Sequence, residues 1–307
     1  MNPASDVTPT IETIGLGRRY GRRWALRDCT LTLPQGHVIG LVGPNGAGKT
    51  TLLHIVAGLL EPTTGDVRVL GAGARDLRTL SRIGFVAQDK PLYPRFTVED
   101  MLRMGGWLNP GWDRASALER LAGLDIPLEQ RCGSLSGGQR AQVALAVALG
   151  KRPDLLLLDE PVANLDPLAR RQFMQVLLEH VAATGMTVVL SSHLLADLER
   201  VWDYLVLMSA SRIQLSAPTD ELLHEHRVLT GPPNKADAIA ATHAVVQSSI
   251  TDRQATLLIR AAGPVHDPDW SVRPASLEEI VLAYMSTPLA GAVPALSLLG
   301  SAPKGSR

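Results

Sequence analysis

Apolar positions along the chain change period several times, and each change predicts an element. From Ile11 to Leu33 apolar and polar residues alternate about a turn at Tyr20-Gly21-Arg22-Arg23, which predicts an edge hairpin. His37 to Val42 is a short apolar run that ends in a glycine-rich loop, and Lys49 to Leu60 then takes helical spacing and stops near Pro62. Short strands resume from Gly65 to Gln88, the last a buried strand from Arg82 that ends in a polar residue. Between Asp89 and Gly150 the pattern is helical: Thr97-x-x-Asp100 opens one helix, Arg114 to Leu124 is amphipathic, and Ser136 caps a long alanine-rich helix. Leu155 to Leu158 and Thr187 to Leu190 are continuous apolar runs separated by a helical pattern from Pro167 to Ala183, as buried parallel strands with crossover helices require.

This ordering predicts an α/β fold: a doubly wound, mainly parallel sheet with an antiparallel β edge and a helical insert at about 89–150, the whole domain running over 11–225. Beyond Pro218 the pattern changes. Arg227 to Arg260 reads as strand, helix and a hairpin turning near Thr251-Asp252-Arg253-Gln254, and Ser276-x-x-Glu279 starts a last amphipathic helix to Met285. A small α+β C-terminal module is expected at 226–286. The lead at 1–10 and the Pro-, Gly-, Ala- and Ser-rich end at 287–307 are expected to be disordered.

Composition removes several functions. Lys and Arg number 30 and Asp and Glu number 30, so the long-range field of a dedicated nucleic-acid binder is missing and no nucleic-acid partner is expected. The two cysteines, Cys29 and Cys132, lie in no metal or disulfide spacing. No run approaches the roughly 18 uncharged apolar residues of a spanning helix, so the protein is expected to be soluble and to reach a membrane only through a partner.

Three motifs then occur in one order. In Gly43, Pro44, Asn45, Gly46, Ala47, Gly48, Lys49, Thr50 and Thr51, the glycines let consecutive amides point at phosphate oxygens, and the following helix adds its positive end. Lys49 is placed to contact the β- and γ-phosphates and Thr50 to give a hydroxyl to Mg²⁺. Asp159 and Glu160 follow four leucines at the mouth of a buried strand, where open α/β sheets bind ligands. Paired acids there can be mere helix caps, but the spacing from the loop favours Asp159 as a Mg²⁺ ligand and Glu160 as general base. Between loop and acids stand Leu135, Ser136, Gly137, Gly138 and Gln139, which alone would read as a helix cap.

In this order the motifs resemble the nucleotide-binding subunit of an ATP-binding cassette (ABC) transporter, a P-loop NTPase, over about residues 11 to 225. The resemblance implies that Leu135 to Gln139 form the signature loop, gripping the ATP of a second subunit in a head-to-tail dimer. It implies that Gln88 senses Mg²⁺ and the γ-phosphate, that His193 in Ser191-Ser192-His193 contacts the γ-phosphate, and that Tyr20 stacks on adenine, with Trp24 the competing choice. The neighbouring Arg18, Arg19, Arg22 and Arg23 read as a solvated rim, with contact to phosphate or nucleic acid the minor option. Ala163-Asn164-Leu165-Asp166 matches the loop that crosses the dimer interface, with Asn164 where glycine is usual. Asparagine tolerates the left-handed geometry that glycine serves there.

The expected activity is therefore Mg²⁺-dependent ATP hydrolysis. The expected partners are ATP, a second copy of this chain or a related ATPase subunit, and polytopic membrane subunits, and the expected location is the cytoplasmic face of the cell membrane. Leu92, Tyr93 and Phe96 after Gln88 read either as a docking patch for those subunits or as core of the insert. The C-terminal module resembles the extension of ATPases serving exporters with separate membrane subunits, so export is expected over import. A soluble cassette ATPase with a non-membrane partner and a non-hydrolysing regulatory module remain as alternatives, the latter opposed by Glu160.

Overall fold

The computed structural model describes residues 9–192, 201–261 and 267–286. Contacts divide the chain into two compact units, Met1–Tyr204 with Met208–Ile213, and Leu205–Leu207 with Gln214–Arg307. The division falls at 213/214, where the sequence pattern places the end of the first domain at 225. The expected disordered ends lie almost wholly outside the described residues.

The first unit opens with a hairpin of β1 (Ile11–Tyr20) and β2 (Arg23–Leu33), with Tyr20 paired to Arg23 across the turn. Next come β3 (Val38–Val42), buried at every position, and α1 (Lys49–Val56). This helix stops short of Leu60 because Gly58 takes a left-handed φ of 72° and returns its amide to the Ile55 carbonyl at 3.0 Å. There follow β4 (Thr64–Val69), β5 (Ala72–Gly73), α2 (Leu77–Ser81) and β6 (Ile83–Val86). The order β2-β1-β4-β5 makes an antiparallel edge sheet.

The insert comprises α3 (Val98–Leu108), α4 (Arg114–Ala122) and α5 (Gly137–Gly150). Thr97 and Asp100 form a reciprocal capping box on α3, as Ser136 and Gln139 do on α5. Val98, Met101, Leu102, Leu121, Leu135 and Val143 belong to a separate helical core, so the insert has its own packing. Then β7 (Leu155–Leu158), α6 (Pro167–Thr184) and β8 (Thr187–Ser192) complete a parallel run ordered β3-β8-β7-β6. Strands β9 (Tyr204–Ser209) and β10 (Arg212–Pro218) carry the unit boundary and extend that sheet to the order β10-β9-β3-β8-β7-β6. The fold is thus α/β, as expected.

In the second unit, α7 (Thr219–Glu225), β11 (His226–Gly231), α8 (Ala236–Thr242), β12 (Ala244–Ile250), β13 (Ala255–Arg260), β14 (Ser271–Pro274) and α9 (Leu277–Ser286) follow in turn. The antiparallel sheet β12-β13-β11-β14 packs Leu229, Leu257 and Ile259 with Ile239 and Trp270. Ser276 and Glu279 exchange backbone and side-chain hydrogen bonds at the start of α9. Among the described residues no helix is long and apolar enough to cross a membrane.

Candidate functional site

Phosphate-loop geometry follows from where the chain turns between β3 and α1. Gly48, at the N-cap of α1, has φ 108°, and a Cβ there would sit 2.4 Å from the Ala25 carbonyl oxygen. Only a residue without a side chain lets the loop lie this close to β2. Lys49 folds back over the loop, its Nζ donating to the carbonyls of Gly43 at 2.7 Å and Pro44 at 3.3 Å. That ammonium also stands 3.6 Å from Glu160 Oε1, and both side chains are under a tenth exposed. An ion pair taken out of water is held only where its members gain further hydrogen bonds, as Lys49 does here.

The acid pair sits at the C-terminal end of β7. Asp159 N–H donates to the Val86 carbonyl at 2.9 Å, which continues the β6–β7 pairing one step further. Glu160 leaves the strand with φ 46°, an uncommon conformation for a residue with a side chain. Its amide donates to Ser191 Oγ at 2.8 Å, and the same hydroxyl donates to Asp159 Oδ1 at 2.7 Å.

A cleft of about 530 Å³ gathers these elements: Tyr20, Arg23 and Ala25 from the hairpin, Asn45 to Thr51 from the loop, Gln88 beyond β6, and Glu160. Tyr20 is half exposed, with the Arg18 guanidinium 4.9 Å from its ring centroid, which leaves the other face for a ligand. Trp24 packs against Gly17 instead, with Arg19 over its ring at 5.5 Å. Gly43 and Pro44 contribute carbonyls to Lys49, and Asp159, next to Glu160 in sequence, is buried and is not part of the cleft lining. Near Gln88, burial pushes the Lys90 ammonium pKa down, helped by the charge of Arg140.

Oxygen donors suit a small, hard divalent cation. Thr50 and Gln88 line the cleft and Asp159, next to the lining residue Glu160, adds a buried carboxylate, so the oxygen donors fit Mg²⁺ held jointly with phosphate oxygens. Among the described residues no group of three or more His, Cys, Asp or Glu forms an all-protein metal cage. Burial raises the pKa of both thiols, Cys29 and Cys132, so neither is a ready ligand.

Leu135 to Gln139, expected to form the signature loop, are not part of this cleft. Ser136, Gly138 and Gln139 line a separate hollow of about 220 Å³ with Asp166, Leu168 and Ala169. Leu135 is buried in the core of the insert, and a Cβ on Gly138 would touch that of Ala169 at 3.0 Å. Asn164 adopts φ 63°, the left-handed geometry expected of it. His193 lies outside the described residues. Sequence reasoning gave Arg23 a phosphate contact only as the minor option and missed Ser191. Pairing of Arg23 with Tyr20 across the turn would have found the first, and the switch from apolar to polar residues at the end of β8 the second.

A phosphate loop after the parallel strand β3, with an acid pair at the end of β7 one strand beyond β8, defines a P-loop nucleotide-binding protein. The ABC transporter family model matches residues 26–163. Nod factor export ATP-binding protein I of Rhizobium leguminosarum bv. viciae is 34% identical over 219 residues, covering 69% of this chain and 70% of the relative. Phosphonates import ATP-binding protein PhnC 1 of Rhodopseudomonas palustris is 36% identical over 228 residues, covering 67% and 81%. An uncharacterised ABC transporter ATP-binding protein of Nostoc is 34% identical over 206 residues, and the match spans 61% of its length. Among solved structures, the ATP-binding subunit of an ABC transporter superposes with TM-score 0.63 at 28% identity, covering 71% of this chain and 92% of that one. A dimeric bacterial ABC transporter cassette gives 0.61 at 27%, covering 68% and 98%. The chain belongs to the ABC transporter ATP-binding family, a class of ATPase.

Proposed function

We propose that this protein is the ATP-hydrolysing subunit of an ABC exporter, acting as a dimer beneath separate membrane subunits. The observation that carries the reading is the single cleft joining Tyr20, the phosphate loop, Gln88 and Glu160. Adenine stacks on Tyr20, the loop amides and Lys49 bind the phosphates, and Thr50, Gln88 and Asp159 hold Mg²⁺, which supplies charge neutralisation at the γ-phosphate. Lys49 now faces Glu160; an arriving polyphosphate offers it a stronger counter-charge, releasing the Glu160 carboxylate to take a proton from the attacking water.

The second subunit supplies what this cleft lacks. Ser136 and Gly138 line a hollow of their own, beside Asp166, and in a head-to-tail pair that hollow closes over the partner's γ-phosphate. His193 and Asn164 are assigned to the same closed state. Closure and reopening then move the helical insert, whose own core lets it travel as a body. The exposed Tyr93 and Phe96, with rings 5.0 Å apart, are the docking patch, while Leu92 packs inward against the insert. This arrangement puts the protein on the cytoplasmic face of a membrane.

Relatives include both export and import proteins. Export is favoured by coverage: Nod factor export ATP-binding protein I of Rhizobium meliloti matches 79% of this chain, a span that must run past residue 213 into the second unit. The test is to lock Glu160→Gln protein with ATP in its native cell, crosslink, and identify what is retained. A polytopic membrane protein crosslinked near Tyr93 is the expected result. Retention of ribosomes, nucleic acid or a soluble scaffold alone would overturn the transport reading.

A further inference from the structure

One side chain bridges the two acidic residues of the site, through the Asp159 carboxylate and the Glu160 main-chain amide. Ser191 stands at the fifth position of β8, is fully buried, and reaches across to the end of β7. Its hydroxyl donates to Asp159 Oδ1 at 2.7 Å and accepts the Glu160 amide at 2.8 Å. A hydroxyl has one proton to give and lone pairs to receive, so both bonds are made at once and each fixes the direction of the other.

We propose that Ser191 is a positioning residue of the nucleotide site, orienting the Asp159 carboxylate toward Mg²⁺ and holding Glu160 in its left-handed backbone conformation. By taking one lone pair of Oδ1 it fixes the carboxylate plane, leaving the remaining lone pairs for the ion. By accepting the Glu160 amide it satisfies a buried donor that the φ of 46° has turned away from the sheet. Loss of that acceptor weakens the left-handed turn that aims the Glu160 carboxylate at Lys49. On the other side of β7, the Val86 carbonyl of β6 is already engaged by the Asp159 amide. Partners of metal ligands that act in this way change metal affinity by about 10- to 100-fold when removed.

This role rests on the proposed reading of Asp159 as a metal ligand and Glu160 as general base. The test uses full-length protein and a fluorescent ATP analogue, titrated once with Mg²⁺ and once with EDTA, alongside ATPase rates. Wild type is expected to bind more tightly with Mg²⁺. Ser191→Ala should lose that tightening by about tenfold and lose turnover with it, while its affinity in EDTA stays within about twofold because the phosphate loop is untouched. Ser191→Thr, which keeps the hydroxyl, should retain the Mg²⁺ response. Ser191→Cys, close in shape but a weak donor, should behave like alanine and serves if the alanine protein does not fold. A wild-type Mg²⁺ response preserved by both Ser191→Ala and Ser191→Cys overturns the role of Ser191 alone. A wild-type protein indifferent to Mg²⁺ overturns it together with the ATPase reading.

Discussion

Replacing Gly48 by alanine separates two reasons for a glycine in the phosphate loop. At φ 108° an L-residue is strained, which costs about 1–3 kcal/mol. The new methyl would also lie 2.4 Å from the Ala25 carbonyl oxygen and 2.7 Å from Leu26 Cδ2, and Leu26 is fully buried, so overpacking adds about 1–3 kcal/mol. Gly46 is the internal control. Its φ of 80° carries similar strain, but a Cβ there meets only the Arg23 Nη2 at 3.6 Å, the end of a flexible, exposed side chain. Gly48→Ala should therefore unfold in urea at a free energy about 1–3 kcal/mol below Gly46→Ala, the difference being the clash alone. Adding ATP at about 100 times Kd should restore about 2.7 kcal/mol to Gly46→Ala. Gly48→Ala should gain less, since moving its backbone off Ala25 turns an amide away from the phosphates. Equal stability of the two variants, with equal rescue by ATP, would refute the claim that close approach to β2 fixes the loop.

Lys49→Ala should abolish ATP binding in the same fluorescence titration, because it removes the cation that folds back over the phosphate loop and faces Glu160. Glu160→Gln should keep binding, lower turnover by about 10²- to 10⁴-fold and accumulate an ATP-locked dimer on size exclusion; wild-type turnover would rule out this general base. In the second unit, His226 is fully buried, with Nδ1 on the Leu222 carbonyl and Nε2 on the Tyr284 hydroxyl. Burial lowers its pKa, reinforced by Arg260 and Arg227 and opposed by the Leu222 carbonyl and Glu225. The unfolded chain therefore takes up the proton first as pH falls below the ordinary histidine value of 6.5, and stability is lost from there downward but not above it. Thermal unfolding at stepped pH should show that slope for wild type and a flatter one for His226→Gln. Tyr93→Ala with Phe96→Ala should leave basal ATPase unchanged and abolish crosslinking to a membrane partner.

Elements written in local chemistry were the legible ones. Thr97, Ser136 and Ser276 each announce a helix by a side chain that bonds an amide three residues on, and each does so in the fold. The turn at Thr251 to Gln254 is of the same kind, closed by bonds between those two residues. Long-range features were not legible. β9 and β10 gave no motif, and the boundary between the two units falls within them although both belong to the sheet of β3. Tyr20 lines the cleft, whereas Trp24 lies against Gly17, a long-range packing that the sequence pattern does not show.

Arg23 and Ser191 show where motif reading stops for the site itself. Each belongs to a run with a satisfactory bland explanation, a charged turn in one case and a strand end in the other. What distinguishes them is a partner distant in sequence: Gly46 in the loop for Arg23, Asp159 and Glu160 for Ser191. In a parallel sheet the C-terminal ends of adjacent strands arrive at one edge whatever lies between them along the chain. Polar residues at those ends therefore meet by construction. The last position or two of every parallel strand in such a fold is thus where further site residues should be sought, even when no motif marks them.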